Sequence, residues 1–382
     1  MVRQITADRL ANMIDGDESF TLIDTRPEDS FEGWHIRGAK NVPFGPNDDL
    51  TEQQRNRIGN SDDAGSIIAI CGKGLTSTSF SFELETIGYD DVSVVKGGME
   101  DWSTVYEVVP IDTENDDPVI VQVQRRAKGC LGYVVGSSAS GSAVAVDPTR
   151  QTDRFKVVAE EVGLTIERVL DTHVHADHVS GGRTLADELG VPYHLGERAR
   201  ERDVEYDYEP LADGETIDVG GVEIEALHTP GHTTEMMNYR VDGEAVLTGD
   251  TLFVESVGRT ELQFGDEDAA DGAEMLYDSL HETLLELPED TRVLPGHVSV
   301  SADGRYEVGS PGDAIEARLG TLRDELELLG LEKEEFVDRL VDNTPEKPAN
   351  YERVIEINTG QETLDDESEA TELEMGPNNC AA

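Results

Sequence analysis

Basic residues are scarce in this chain. Of 382 residues only 30 are Lys or Arg, seven of them Lys, against 82 Asp or Glu, for a formal net charge of −52. Such a surface repels phosphates, so we expect neither nucleic acid nor an anionic membrane as partner. The acid runs through both halves rather than gathering in one tail, which argues against a disordered acidic segment. It also makes the molecule repel itself in dilute buffer, a penalty that fades at molar salt, where the Debye length falls to about 3 Å. The composition therefore predicts a halophilic protein, from a salt-accumulating cytoplasm.

Long apolar runs are lacking as well. None approaches the roughly 18 residues needed to span a bilayer, and the opening MVRQITADRL is charged, with no apolar signal region. The expectation is a soluble, cytoplasmic protein. Cysteine is rare: Cys71, Cys130 and Cys380 lie far apart without CxxC spacing. An odd count in this context speaks for reduced thiols and against a disulfide framework. A homo-oligomer stays open.

The length suggests two domains, and a hydrophobic content of 37% suffices to bury both. Residues 1–108 alternate strand-like and helix-like stretches: a helix capped by Thr6, strands at Phe20–Asp24 and Ser66–Cys71, a helix through Phe80 and Leu84, and a strand at Val92–Val95. That alternation predicts a parallel, doubly wound α/β sheet. A linker over 109–118 contains the acidic Asp112–Pro118. Beyond it, strands are expected at Val119–Val123, Leu131–Val135, Arg168–Asp171, Val222–Leu227, Met237–Val241 and Glu244–Leu247, the last two joined at Asp242-Gly243. Helices are expected at Ala270–Leu287, Pro311–Leu328 and Lys333–Val341. The second domain is placed at 119–345 and a C-terminal extension at 346–382, ending in GPNNCAA, which composition does not explain.

The nine histidines are not scattered. His173, His175 and His178 stand with Asp177 in Asp171-Thr-His-Val-His-Ala-Asp-His178, just after a strand. Alternating ligands cannot share one helix face, but a loop leaving a strand converges them. His232 follows in a Pro-Gly turn, Asp250 ends a strand, and His297 sits in another Pro-Gly turn. Seven metal-type residues at strand ends point to a metal centre, with imidazole and carboxylate suiting Zn, Fe or Mn. His35, His194, His228 and His281 read as ordinary surface or core histidines.

In this order and spacing the seven residues resemble those of the metallo-β-lactamase superfamily, over about 115–345. The resemblance implies an αββα sandwich with the site at one edge. Hydroxyacylglutathione hydrolases of that superfamily (glyoxalase II) use all seven positions to hold two metals. Persulfide dioxygenases bind one ferrous iron, through positions that correspond here to His173, His232 and Asp250. Two His and one carboxylate make the facial triad of non-haem Fe(II) oxygenases. His175, Asp177, His178 and His297 then orient the ligands, or hold a second metal. The segment Gly258-Arg-Thr-Glu261 resembles the dioxygenases' Gly-Arg-Thr-Asp, and Arg259 is either an ion-pair partner holding this loop or a contact for a substrate carboxylate. Val257 stands where some dioxygenases have Cys, and Ser299 where many have Tyr.

In the first domain Cys71-Gly-Lys-Gly-Leu-Thr76 ends a strand and opens a helix. Inward N–H groups of Gly72, Lys73, Gly74, Leu75 and Thr76, with the helix N-terminus, favour a thiolate and a bound anion. With Asp24-Thr-Arg26, Gly33–Pro43 and Val95–Trp102 in order, the region resembles a rhodanese domain, in which the loop cysteine carries sulfane sulfur as a persulfide. Lys73 would attract a donor such as thiosulfate, and Asp24 and Arg26 would tie the loop scaffold together. Cys130 and Cys380 have no such setting and read as structural.

Together these features predict a persulfide dioxygenase coupled to sulfane-sulfur transfer, with one Fe(II), O2, a small-thiol persulfide and thiosulfate as cofactor and reactants. The alternative is a thioester hydrolase with two Zn(II). A third class, a non-catalytic sulfur carrier with a structural metal, fits less well, because closed structural zinc sites use four ligands.

Overall fold

The structure is a computed structural model that describes residues 2–59, 65–344, 347–348, 350–364 and 366–376. Five parallel strands form the first sheet, in the order Arg3–Ile5, Val92–Val95, Ile67–Ile70, Thr21–Asp24, Lys40–Asn41. The strand Ile67–Ile70 is buried on both sides because its residues alternate between two cores. Ile68 and Ile70 pack with Leu10 and Trp102, while Ile67 and Ala69 pack with Phe80 and Leu84. Helices therefore cover both faces, the α/β arrangement expected of a rhodanese domain. Thr6 caps the first helix, its side chain accepting from Arg9 N.

Two further sheets stack face to face. The seven-stranded one is mixed and the six-stranded one mostly antiparallel. Between them lies one core in which Leu131, Tyr133 and Val144 meet Ile224, Tyr239 and Leu247. Helices Thr152–Glu161 and Gly182–Leu189 cover the outside of the first sheet, and Glu261–Ser279 with Lys333–Asp342 the outside of the second. This is an αββα sandwich.

Three expectations need correction. The stretch 109–118 is not simply a linker: Tyr106–Ile111 is a strand that pairs antiparallel with Val119–Arg125, so the second domain's sheet begins inside the region assigned to the first. The long helix at 311–328 is replaced by an extended loop, a short strand Ala317–Arg318 and a helix confined to Leu319–Glu325. Buried Gln122 and Gln124 take backbone groups at 312–315 that a helix would have used: they bond Gly312 N, Asp313 O, and both N and O of Ile315. Finally, the C-terminal extension, given no elements from sequence, forms helices Tyr351–Thr359 and Glu367–Leu373 among its described residues, and these pack against the histidine loop. Cys380 and all but the first residue of GPNNCAA lie outside the described residues. No helix among the described residues is long and apolar enough to cross a membrane.

Candidate metal centre and cysteine loop

The histidine loop leaves the strand Thr165–Leu170 at the edge of the sandwich, and His232, Asp250 and His297 arrive there from turns after other strands. All seven side chains are buried. His173, His232 and Asp250 converge, with His232 Nε2 3.6 Å and His173 Nε2 3.9 Å from Asp250 Oδ2. Ligand atoms each about 2.1 Å from one ion stand about 3–3.4 Å apart in octahedral to tetrahedral geometry, so this triangle is slightly wider than a closed one.

The hydrogen bonds behind these rings decide which nitrogen faces the centre. His232 Nδ1 donates to the Arg259 carbonyl at 2.6 Å, leaving Nε2 its lone pair. Thr172 Oγ1 donates to Asp147 Oδ2 and so accepts from His173 Nδ1, both at 2.9 Å, again freeing Nε2. Burial, followed by neighbouring histidines for His173, lowers the pKa of both rings and keeps them neutral, the form that binds a metal. Burial would raise the Asp250 carboxyl, but His297 outweighs it and holds it low. His173 Nε2 and Asp250 Oδ2 are buried without a hydrogen-bond partner among the described residues. Buried polar atoms in this state, on neutral imidazoles and a carboxylate, fit a metal ion.

The other four residues are differently disposed. His297 bonds Asp250 Oδ1 at 2.6 Å and Asp177 Oδ2 at 3.0 Å, and His178 Nδ1 bonds Asp177 Oδ1 at 3.0 Å. Burial opposes charge on these two rings, yet Asp250 and Asp177 for His297, and Asp177 for His178, raise both well above the ordinary value. His175 turns the other way, Nε2 lying 3.3 Å from Asp147 Oδ1, in a separate group with Asp171. Cys130 is more than a structural cysteine: its thiol stands among Asp177, His178 and His297, with Sγ 3.6 Å from Asp177 Oδ2. Nothing in its sequence neighbourhood signals this, because the contact comes from a single bridge between Cys130 and His297 across the sheet edge. Sequence reasoning misses Asp147, Asn358 and Glu374 for the same reason.

Arg259 is fully buried and ion-paired to Glu261, its Nε 2.5 Å from Oε1. Gly258 lets this segment close on the centre: a Cβ there would stand 1.9 Å from the Asp250 carbonyl and 3.2 Å from His232 Cβ. Val257 is buried, and Ser299 N bonds Glu255 Oε1 at 2.9 Å. His35, His194, His228 and His281 stand apart from the metal groups.

In the first domain Cys71 is buried beneath its loop, Sγ 3.4 Å from Ser77 Oγ. Burial alone would push the thiol up, but hydrogen bonds from the side chains and amides of Ser77 and Thr76 outweigh it and lower its pKa. Ser77, just beyond the loop singled out from sequence, is thus its nearest polar partner. Gly72 and Gly74 shape the loop, Leu75 stands exposed, and Thr76 opens the helix Thr76–Thr86. Gly98, at φ +65°, packs on it so closely that a Cβ would meet the Cys71 carbonyl at 2.1 Å. Arg26 bonds Asp24 and the Trp34 carbonyl, tying the scaffold together. Lys73 departs from the expectation: its amine pairs with Glu100 at 3.0 Å and with Glu372 at 2.6 Å, so its charge is already matched by two carboxylates.

Comparison with known proteins agrees with both halves. A Rhodanese-like domain model matches residues 6–104 and a Metallo-beta-lactamase superfamily model residues 126–297. An uncharacterized protein of Mycobacterium leprae is 34% identical over 205 residues, 46% of this chain and 91% of that protein. A mitochondrial persulfide dioxygenase, ETHE1, of Bos taurus is 31% identical over 188 residues, 48% of this chain and 70% of that protein. The crystal structure of ETHE1 from Myxococcus xanthus superposes with a TM-score of 0.54 at 28% identity, covering 63% of this chain and 97% of its own.

Proposed function

For a chain that belongs to the metallo-beta-lactamase superfamily and carries a rhodanese-like domain ahead of it, we propose persulfide dioxygenation coupled to sulfane-sulfur transfer. The observation that carries this reading is geometric: of the seven residues, His173, His232 and Asp250 form a group of their own. His173, His232 and Asp250 present neutral nitrogens and a carboxylate oxygen to one point. His178 and His297 instead hydrogen-bond to Asp177 and Asp250, and His175 turns to Asp147, so in this reading these four act behind the three ligands.

One Fe(II) held by the two histidines and the carboxylate would supply O2 activation and a position for a sulfur ligand. The net reaction is RSSH + O2 + H2O → RSH + H2SO3, the sulfane sulfur being oxidised and both oxygen atoms reduced. Around it, Asp147 through Thr172, and the Arg259 carbonyl, hold the two ligand rings. The Arg259–Glu261 pair holds the loop that carries that carbonyl. The hydrogen-bonded His297–Asp177–His178 chain would hold a proton beside Asp250. Cys71 as thiolate would take the outer sulfur of thiosulfate, releasing sulfite, and pass it to a small thiol: CysS⁻ + S2O3²⁻ → CysSS⁻ + SO3²⁻, then CysSS⁻ + RS⁻ → CysS⁻ + RSS⁻. The similarity to a mitochondrial persulfide dioxygenase supports the first of these reactions.

The test is oxygen uptake by iron-reconstituted protein in molar KCl with a small-thiol persulfide. Uptake with matching sulfite, abolished in His232→Ala, is the expected outcome. Two metals per chain with thioester hydrolysis and no uptake would replace the proposal by the two-zinc hydrolase.

A further inference from the structure

The histidine loop has a backbone problem that its own strand cannot solve. Between His175 and Ser180 it is neither helix nor sheet, yet it is buried, and buried amides and carbonyls need partners. Elements of the second sheet hold its front: Met237 N bonds the Thr172 carbonyl and Glu235 accepts from Val174 N. The rear half is held by two side chains 178 to 195 residues further along the chain. Asn358 Nδ2 donates to both the His175 and His178 carbonyls at 2.8 Å, and its Oδ1 accepts from Ser180 N at 2.9 Å. Glu374 accepts from Val179 N at 2.7 Å through Oε1, while its Oε2 is fixed by Arg125 at 2.8 Å and Arg150 at 2.9 Å.

These two side chains are themselves rigidly mounted. Asn358 sits near the end of the helix Tyr351–Thr359, its carbonyl taken by the Tyr206 hydroxyl. Glu374 follows the helix Glu367–Leu373, which Asp366 caps and whose Leu373 packs with Val179 and Ile357. Glu374 is 1% exposed, and an unpaired carboxylate there would be costly, so the two arginines fix both its charge and its position. The side-chain bonds of Asn358 together require an amide: a donor pair on one side and an acceptor on the other.

We infer that Asn358 and Glu374 are positioning residues of the metal centre: the C-terminal segment is the splint for the rear of the histidine loop, and so sets how Asp177 and His178 meet His297 and, through it, the ligand Asp250. Metal sites lose affinity when the groups orienting their ligands are removed, typically 10–100-fold. The inference rests on reading His173, His232 and Asp250 as metal ligands, and does not depend on which reaction follows.

Cobalt(II) titrated into the full-length apoprotein in molar KCl, followed by its visible absorption, is the probe. Asn358→Asp keeps the shape and the acceptor but turns an acceptor toward the two carbonyls. Glu374→Gln keeps the shape and removes the charge between two arginines. Both should retain wild-type far-ultraviolet dichroism, weaken cobalt binding about 10–100-fold, and speed hydrogen exchange at Val179 and Ser180 above the rest of the domain. Folded variants with wild-type cobalt affinity would overturn the splint. Should Asn358→Asp not fold, Glu374→Gln alone decides by the same two readouts. Wild-type protein that binds no cobalt, or binds it equally well as His232→Ala, would overturn the metal reading and this inference together.

Discussion

His232 and Gly258 show how single residues make the centre. The imidazole is aimed by one carbonyl, that of Arg259, and that carbonyl reaches it only because residue 258 has no side chain. Gly258→Ala must push the segment off the Asp250 carbonyl, so thermal unfolding should show a loss of about 1–3 kcal/mol together with weaker metal binding. At Cys71 the depressed thiol predicts sulfurtransfer that rises with pH to a midpoint below 9.0, and Ser77→Ala should move that midpoint upward. Cys71→Ser should abolish thiosulfate sulfurtransfer and leave oxidation of a supplied persulfide intact; loss of both in a folded variant would refute the separation of the two chemistries. Glu374 gives a pH signature of its own. Burial would raise its carboxyl, but Arg125 and Arg150 bring it from 4.5 to about 2. A depressed carboxyl stabilises the fold above its ordinary pKa, so this contribution should be full above about pH 4.5 and fade toward pH 2. Apoprotein carrying Glu374→Gln should lack that part of the acid dependence in equilibrium unfolding.

Among the elements, those with strong local signals formed where periodicity and turn residues placed them. Examples are the helix behind Thr6, the strand before Cys71 and the hairpin at Asp242-Gly243. The exceptions share a cause. Pro311–Leu328 has helical periodicity, but Gln122 and Gln124, buried in a strand of another layer, claim its backbone at 312–315. Tyr106–Ile111 reads as the end of one domain because a strand's partner is not written in its own residues. The Gln122 contact is testable: Gln122→Leu strands the buried N–H and C=O of Ile315, which should cost about 1–3 kcal/mol, read as a lower urea midpoint. An unchanged midpoint would mean that loop is held by other means.

At the scale of the molecule, the two domains meet through specific contacts rather than through charge alone. Arg126, from the second domain, bonds Asp15 and lies over the Trp102 ring, and His35 N bonds the Ala302 carbonyl. Glu372 pairs with Lys73 of the cysteine loop two residues before Glu374 meets the histidine loop, so one short stretch of chain touches both centres. Over all of this lies the net charge of −52. The fold should unfold more readily in about 50 mM than in about 2 M KCl, because screening relieves its self-repulsion; equal stability at both would remove the case for a high-salt setting.

The chain alone determined the parallel α/β sheet of the first domain, the seven metal-type residues and the cysteine loop, since each is signalled by local chemistry: alternation, spacing, strand-end glycines and turn residues. The αββα class followed from the order of those seven residues through their resemblance to a family. Only the tertiary structure decided how those seven divide, that Cys130 stands among them, that Lys73 is already paired, and that Asn358 and Glu374 brace the loop. All of these depend on which distant segments pack together. A side chain's hydrogen-bond partners, and hence its protonation and orientation, are set by that packing and not by its neighbours in sequence.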